Sequence, residues 1–185
     1  NFVVFVNLED FMNEIKVIDT HSNDKVCFFS GYDCDSLALE EVTSFLDYFI
    51  DHFRTLKNSI LEIRTKSAKI DIFSKKRSSN NVIVAYSLNP ELVVKNFESN
   101  TPSLSKRIKA IKCLQEMNWK IGLRFDPLIK LDKGFEYYRD FFKYVFSNID
   151  ANKIHSVTIG KLRFPDPFLK KILKIKHTEP YLNEI

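Results

Sequence analysis

The chain has 185 residues, 28% of them charged and 44% hydrophobic, with a net charge of +4. These values describe one globular domain with a real core, and a charge that permits a polyanionic partner without demanding one. Cys27, Cys34 and Cys113 show neither disulfide-like nor metal-ligand spacing, and no secretory signal or long apolar run is visible. A reduced, cytoplasmic protein with no membrane partner is expected.

Residues 2–6 read as a short apolar strand, and Asn7 is placed to cap a helix from 8 to about 17, with Glu9 and Asp10 at its positive end. Residues 26–29 read as a buried strand that takes Cys27 into the core; Ser30-Gly31 breaks it, and a polar turn runs from Tyr32 to Ser36. Val42, Phe45, Leu46, Phe49, Ile50 and Phe53 fall on one face of a single helix over 39 to about 56. A strand at 60–63 ends in Arg64-Thr65-Lys66, and a short helix follows at 68–73.

Residues 82–86 form a β-branched run, as in a strand buried on both faces. Pro90 can take the first turn of a helix through Phe97, and Thr101-Pro102 starts another with Leu104, Ile108, Ile111 and Leu114 inward. A strand at 119–125 ends at Asp126-Pro127, where proline restricts the residue before it. An aromatic helix covers 135 to about 146. A strand at 156–159 is followed by a turn over 160–165, and a last helix spans 168–175. Strands that alternate with helices, with no hairpin dipeptide between them, form parallel sheets. An open sheet and a barrel both satisfy this order.

Polar groups gather after the strands: Tyr32 to Ser36, then Thr65 and Lys66, Ser87 and Asn89, Arg124 and Asp126, and Lys161 and Arg163. If the sheet curls, these turns converge on one mouth. Lys66 can reach a carboxylate or a phosphate, or be a solvated surface lysine. Cys34 lies between Asp33 and Asp35, which disfavour a thiolate and make it a poor nucleophile; a radical reaction would use its S–H bond instead. Asp126 serves a turn or a ligand with equal weight. The basic run Lys75–Arg77 and the helix face Lys106, Arg107, Lys109 and Lys112 read first as solvated surfaces and second as phosphate contacts. The four histidines have no mutual spacing that suggests a metal site.

The segments F-V-N-L-E-D-F, G-Y-D-C-D-S-L-A-L-E, L-E-I-R-T-K-S-A, S-L-N-P-E, G-L-R-F-D-P-L-I and G-K-L-R-F-P occur in this order from Phe2 to Pro165. Together they resemble the spore photoproduct lyase family of radical S-adenosylmethionine enzymes. The resemblance implies a partial (β/α)6 TIM-type barrel, with residues 1–185 as a single domain holding the second to sixth strands. It implies a [4Fe-4S] cluster held by a C-x3-C-x2-C loop, S-adenosylmethionine on that cluster, and hydrogen abstraction by a 5′-deoxyadenosyl radical during DNA repair. The cluster motif is absent from this sequence. It is expected upstream of Asn1, so the chain as given is expected to be inactive.

The resemblance assigns Lys66 and Ser87 to S-adenosylmethionine, Lys66 toward its carboxylate, with Asn89 and Asp126 as candidates by motif position. The family's hydrogen-donating cysteine aligns with Tyr32, and Cys34 lies two residues on, so these two are the catalytic candidates. That departure leaves open a relative with a non-DNA substrate. The competing readings are a nucleic-acid-binding α/β module without chemistry, motivated by the basic segments, and a barrel enzyme for a phosphorylated metabolite. The second suffers from the lack of a glycine-rich phosphate loop.

Overall fold

The computed structural model describes residues 4–31 and 34–162, together with positions 167, 170, 171 and 174. Five strands carry the architecture: β1 (Val26–Ser30), β2 (Ser59–Thr65), β3 (Val82–Ser87), β4 (Lys120–Leu128) and β5 (Ile154–Lys161). The connecting helices are α1 (Leu8–His21), α2 (Glu40–Thr43), α3 (Phe45–Thr55), α4 (Asp71–Ser74), α5 (Glu91–Phe97), α6 (Leu104–Glu116) and α7 (Gly134–Asn148). The strands pair in sequence order, and all four pairings are parallel.

Sequential order decides between the two architectures the sequence allowed. A right-handed crossover to the next strand always returns over the same side. Helices therefore cover one face only, and the sheet is a curled half-barrel. On the convex face Leu61, Ile63, Val82, Val84, Tyr86, Ile121, Leu123 and Phe125 pack against Leu46, Phe49, Ile50 and Phe53 of α3, Ile108, Ile111 and Leu114 of α6, and Phe141 and Val145 of α7. Each buried side chain of this size contributes roughly 1.5–3 kcal/mol. The alternate residues face the lumen and are mostly polar or small: Glu62 and Arg64 on β2, Ala85 and Ser87 on β3, Gly122, Arg124 and Asp126 on β4, and Ser156, Thr158 and Gly160 on β5.

Several expected elements shift. Val4–Val6 are not a strand, while Phe2 and Val3 lie outside the described residues. Asn7 makes no capping bond; its Nδ2 donates to Asp10 Oδ2 at 3.0 Å instead. The single helix expected over 39–56 is two helices, because Ser44 adopts a left-handed conformation (φ 48°) between α2 and α3. Val42, before this break, is consequently exposed. The short helix starts at Asp71, and Pro90 precedes α5 rather than lying inside it. Asp126-Pro127 does not end β4. The strand runs on to Leu128 through a register shift, where a proline without an N–H donor is tolerated. Gly160 and Lys161 likewise belong to β5 rather than to a turn. Cys27 is exposed, not core, because it faces the open lumen from β1, which among the described residues pairs on one side only. Of the helix expected at 168–175, only Lys170, Lys171 and Lys174 are described, as helical and exposed.

Candidate functional site at the carboxyl ends of the strands

The turn after β1 is fastened to the end of β2 by Asp35. Its carboxylate accepts from the Lys66 backbone N–H at 2.6 Å, from Thr65 Oγ1 at 2.8 and 3.0 Å, and from the Leu37 N–H at 2.9 Å. Ser36 N–H donates to Arg64 O at 3.1 Å. Thr65 is thereby a buried clamp partner rather than a ligand group, and the backbone that carries Lys66 is fixed.

The Lys66 side chain reaches Glu98, with Nζ 3.0 Å from Oε1. The same oxygen accepts from Asn89 Nδ2 at 2.9 Å, and Arg107 Nη2 holds Oε2 at 2.5 Å. Arg107 is fully buried. It also donates to Pro102 O, Ser87 O and Thr101 Oγ1, at 2.9, 3.0 and 2.8 Å. Burial alone would raise the Glu98 carboxyl; the Asn89 hydrogen bond and the charges of Lys66 and Arg107 outweigh it and hold the group below its ordinary value. Two cations around one carboxylate leave this three-residue cluster with one unit of positive charge.

A cavity of about 160 Å³ opens beside this cluster, lined by Lys66, Asn89, Val93, Phe97, Glu98, Pro127, Ile129 and Leu162. These residues come from the ends of β2, β3, β4 and β5 and from α5, so four strand ends meet at one cavity, while the turn after β1 does not line it. Asn89 is buried, and its Oδ1 has no hydrogen-bond partner among the described residues. An orphaned acceptor in this wall favours a ligand that carries a donor. The retained positive charge favours an acid group. An α-amino acid presents both. The cavity is well below the roughly 300 Å³ at which pockets enclose a whole cofactor, so it suits the amino-acid end of one.

The remaining candidates sit differently. Ser87 is buried and joins the cluster through its carbonyl oxygen. Asp126 precedes the lining residue Pro127, and its carboxylate lies over Gly160, where an added Cβ would be 2.8 Å from Asp126 Cγ. Cys34 is exposed. It lines a separate apolar groove of about 810 Å³ with Phe28, Phe29 and Phe45. Tyr32 and Arg163 lie outside the described residues.

Arg124 turns away from the mouth. It is buried on the lumen floor, donating to Glu62 at 2.9 and 2.5 Å and to Ser156 Oγ at 3.0 Å. Gly122 makes room for it, since a Cβ there would lie 2.8 Å from Nη2. Cys27 faces the same lumen, and desolvation, with the Glu62 charge second, pushes its thiol up. It is therefore a neutral S–H at physiological pH.

Glu98, Asn89 and Arg107 form a network that the sequence reading did not connect. The signal was present in α6. Leu104, Arg107, Ile108, Ile111 and Leu114 recur at three- and four-residue steps, so Arg107 lies on the buried stripe and not on the solvated face. In the other basic segment only the middle residue is shown in ion pairs. Lys76 bridges Asp47 at 2.7 Å and Asp51 at 2.5 Å, and Arg54 donates to Arg77 O. Among the described residues no group of three or more His, Cys, Asp or Glu could hold a metal, and no helix is long and apolar enough to cross a membrane.

Fold and site together define an α/β half-barrel with a cationic, donor-seeking mouth at the carboxyl ends of its strands. The spore photoproduct lyase family profile matches residues 2–181, and the chain belongs to that family. It is 24% identical over 173 residues to the spore photoproduct lyase of Bacillus subtilis strain 168, covering 92% of this chain and 51% of that protein. It is 24% identical over 171 residues to that of Clostridium acetobutylicum, again covering 51% of the relative. A doubly substituted spore photoproduct lyase with bound AdoMet and dinucleoside spore photoproduct superposes with a TM-score of 0.82 at 20% identity, over 96% of this chain and 53% of that one. This chain spans about half the length of the curated relatives it matches.

Proposed function

We propose that this chain is the cofactor-binding half-barrel of a radical S-adenosylmethionine lyase that repairs a DNA photolesion. The carrying observation is the cluster of Lys66, Asn89, Glu98 and Arg107 around one small cavity at the strand ends. Its support is the family membership and a related structure that holds AdoMet with the dinucleoside lesion.

Bound at this mouth and given one electron by a reduced [4Fe-4S] cluster, S-adenosylmethionine would supply hydrogen-abstraction chemistry. Lys66 holds the carboxylate. Its ammonium is anchored to Glu98 through one contact, which leaves further N–H donors for the ligand. Asn89 Oδ1 accepts from the α-ammonium. Asp35 fixes the Lys66 backbone, and Arg107 keeps Glu98 charged, so the pair is preorganised before the ligand arrives. Ser87 and Asp126 lie on neighbouring strands beside the cavity and would meet the rest of the cofactor. Tyr32 and Cys34 are the candidate hydrogen-atom sources for closing the reaction, with the lesion lying in the lumen.

The test is anaerobic reconstitution of the full-length protein, followed by chromatography for 5′-deoxyadenosine. The reading expects reductant-dependent product, and Lys66→Ala should raise the KM for S-adenosylmethionine about tenfold by removing a charged hydrogen bond. No 5′-deoxyadenosine from a cluster-loaded protein would refute it.

A further inference from the structure

We propose that Arg64 and Phe29 form a nucleotide subsite on the lumen wall, Arg64 binding a phosphodiester and Phe29 stacking on the adjoining base. This rests on the reading of the lumen as the place of a DNA strand. Phe29 is the register partner of Glu62, and Arg64 follows Glu62 by two residues, so all three project from the concave face. Phe29 is 60% exposed, an unusual position for a large aromatic in a sheet strand. A cavity of about 230 Å³ lies between them, lined by Phe29, Ser30, Gly31 and Arg64.

The charge arrangement selects an anion. Arg64 Nε is buried with no hydrogen-bond partner among the described residues. Its nearest carboxylate oxygen, Glu62 Oε1, is 3.7 Å away, beyond hydrogen-bond range. Both Glu62 oxygens already accept from Arg124. Two guanidinium groups thus share one carboxylate, and among the described residues Arg64 Nε is the donor left without a matched acceptor. A buried donor without a partner is unfavourable until a ligand supplies one. Guanidinium geometry suits phosphate oxygens. An exposed aromatic beside it turns a general anion site into one for a phosphate that carries a base, because base–aromatic stacking is available to any nucleobase.

The test titrates the 185-residue chain with thymidylyl-thymidine, with its uncharged methylphosphonate analogue and with inorganic phosphate, following amide shifts by NMR. The charged dinucleotide should bind about tenfold more tightly than the neutral analogue, the worth of one charged hydrogen bond. Arg64→Gln should abolish that preference, while Phe29→Ala should weaken both dinucleotides alike. Equal binding of the two probes by the unsubstituted chain, a preference that survives Arg64→Gln, phosphate competing as well as the dinucleotide, or no dinucleotide binding at all would each overturn the subsite. None of these readouts involves the adenosyl cofactor, so the subsite and the cofactor assignment fail separately.

Discussion

Replacing Arg107 by alanine removes a fully buried guanidinium that donates to Pro102 O, Ser87 O, Thr101 Oγ1 and Glu98 Oε2. Breaking one side of a buried ion pair destabilises by about 3–5 kcal/mol, because the remaining charge loses its compensation. Glu98 keeps Lys66 and Asn89 as partners, so the lower end applies, about 3 kcal/mol. With a urea dependence of about 2 kcal/mol per molar, the unfolding midpoint should fall by about 1.5 M. Trp119, the sole tryptophan, is buried with its ring centroid 5.2 Å from that of Phe73, and its fluorescence reports the transition. A shift under about 0.3 M would correspond to about 0.6 kcal/mol, the worth of a surface ion pair. Arg107 would then be an ordinary solvated residue, and the preorganised cluster would not exist.

Glu98 adds a pH dependence of known sign. Its folded carboxyl is held below the ordinary value of 4.5, so its contribution is present above that value and lost as pH falls through the folded one. Urea unfolding should show unsubstituted protein well above Glu98→Gln at about pH 7, with the gap narrowing as pH falls below 4.5; a constant gap would contradict the shift. Gly122→Ala puts a Cβ 2.8 Å from Arg124 Nη2, which Glu62 and Ser156 hold in place. Overpacking of this kind costs about 2 kcal/mol by the same urea assay, and an unchanged midpoint would mean that Arg124 simply swings aside.

The convex side of the fold was legible because its information is local. The run Val82–Tyr86 is buried along its whole length, and the three- and four-residue steps of α3 and α6 do face the core. What the sequence concealed depends on partners distant in the chain. Cys27 and Phe29 look like core residues in V-C-F-F, and what exposes them is the open lumen and the edge position of β1 among the described residues. Ser44 carries a left-handed bend that serine does not announce, so two helices read as one. Arg124 follows Gly122 in an ordinary strand pattern, yet it pairs with Glu62, which is 62 residues away.

The mouth was legible in part. Lys66 and Asn89 were read from the turns after their strands and do line one cavity. Arg107 was missed because charge on a helix reads as solvation unless its phase is compared with the apolar stripe, and Glu98, just past the end of α5, because its partners lie on other elements. Asp35 was read as a neighbour of Cys34, whereas its carboxylate bonds define it as the clamp on Lys66.

The account turns on Lys66 binding the carboxylate of S-adenosylmethionine. The direct measurement is calorimetric affinity for that cofactor and for its decarboxylated analogue, in the cluster-loaded full-length protein and in its Lys66→Met variant. Unsubstituted protein should prefer the carboxylate form by about tenfold, and the variant should show no preference, as expected when one charged hydrogen bond carries the discrimination. The same preference in both proteins would place the carboxylate elsewhere and contradict the assignment of this mouth.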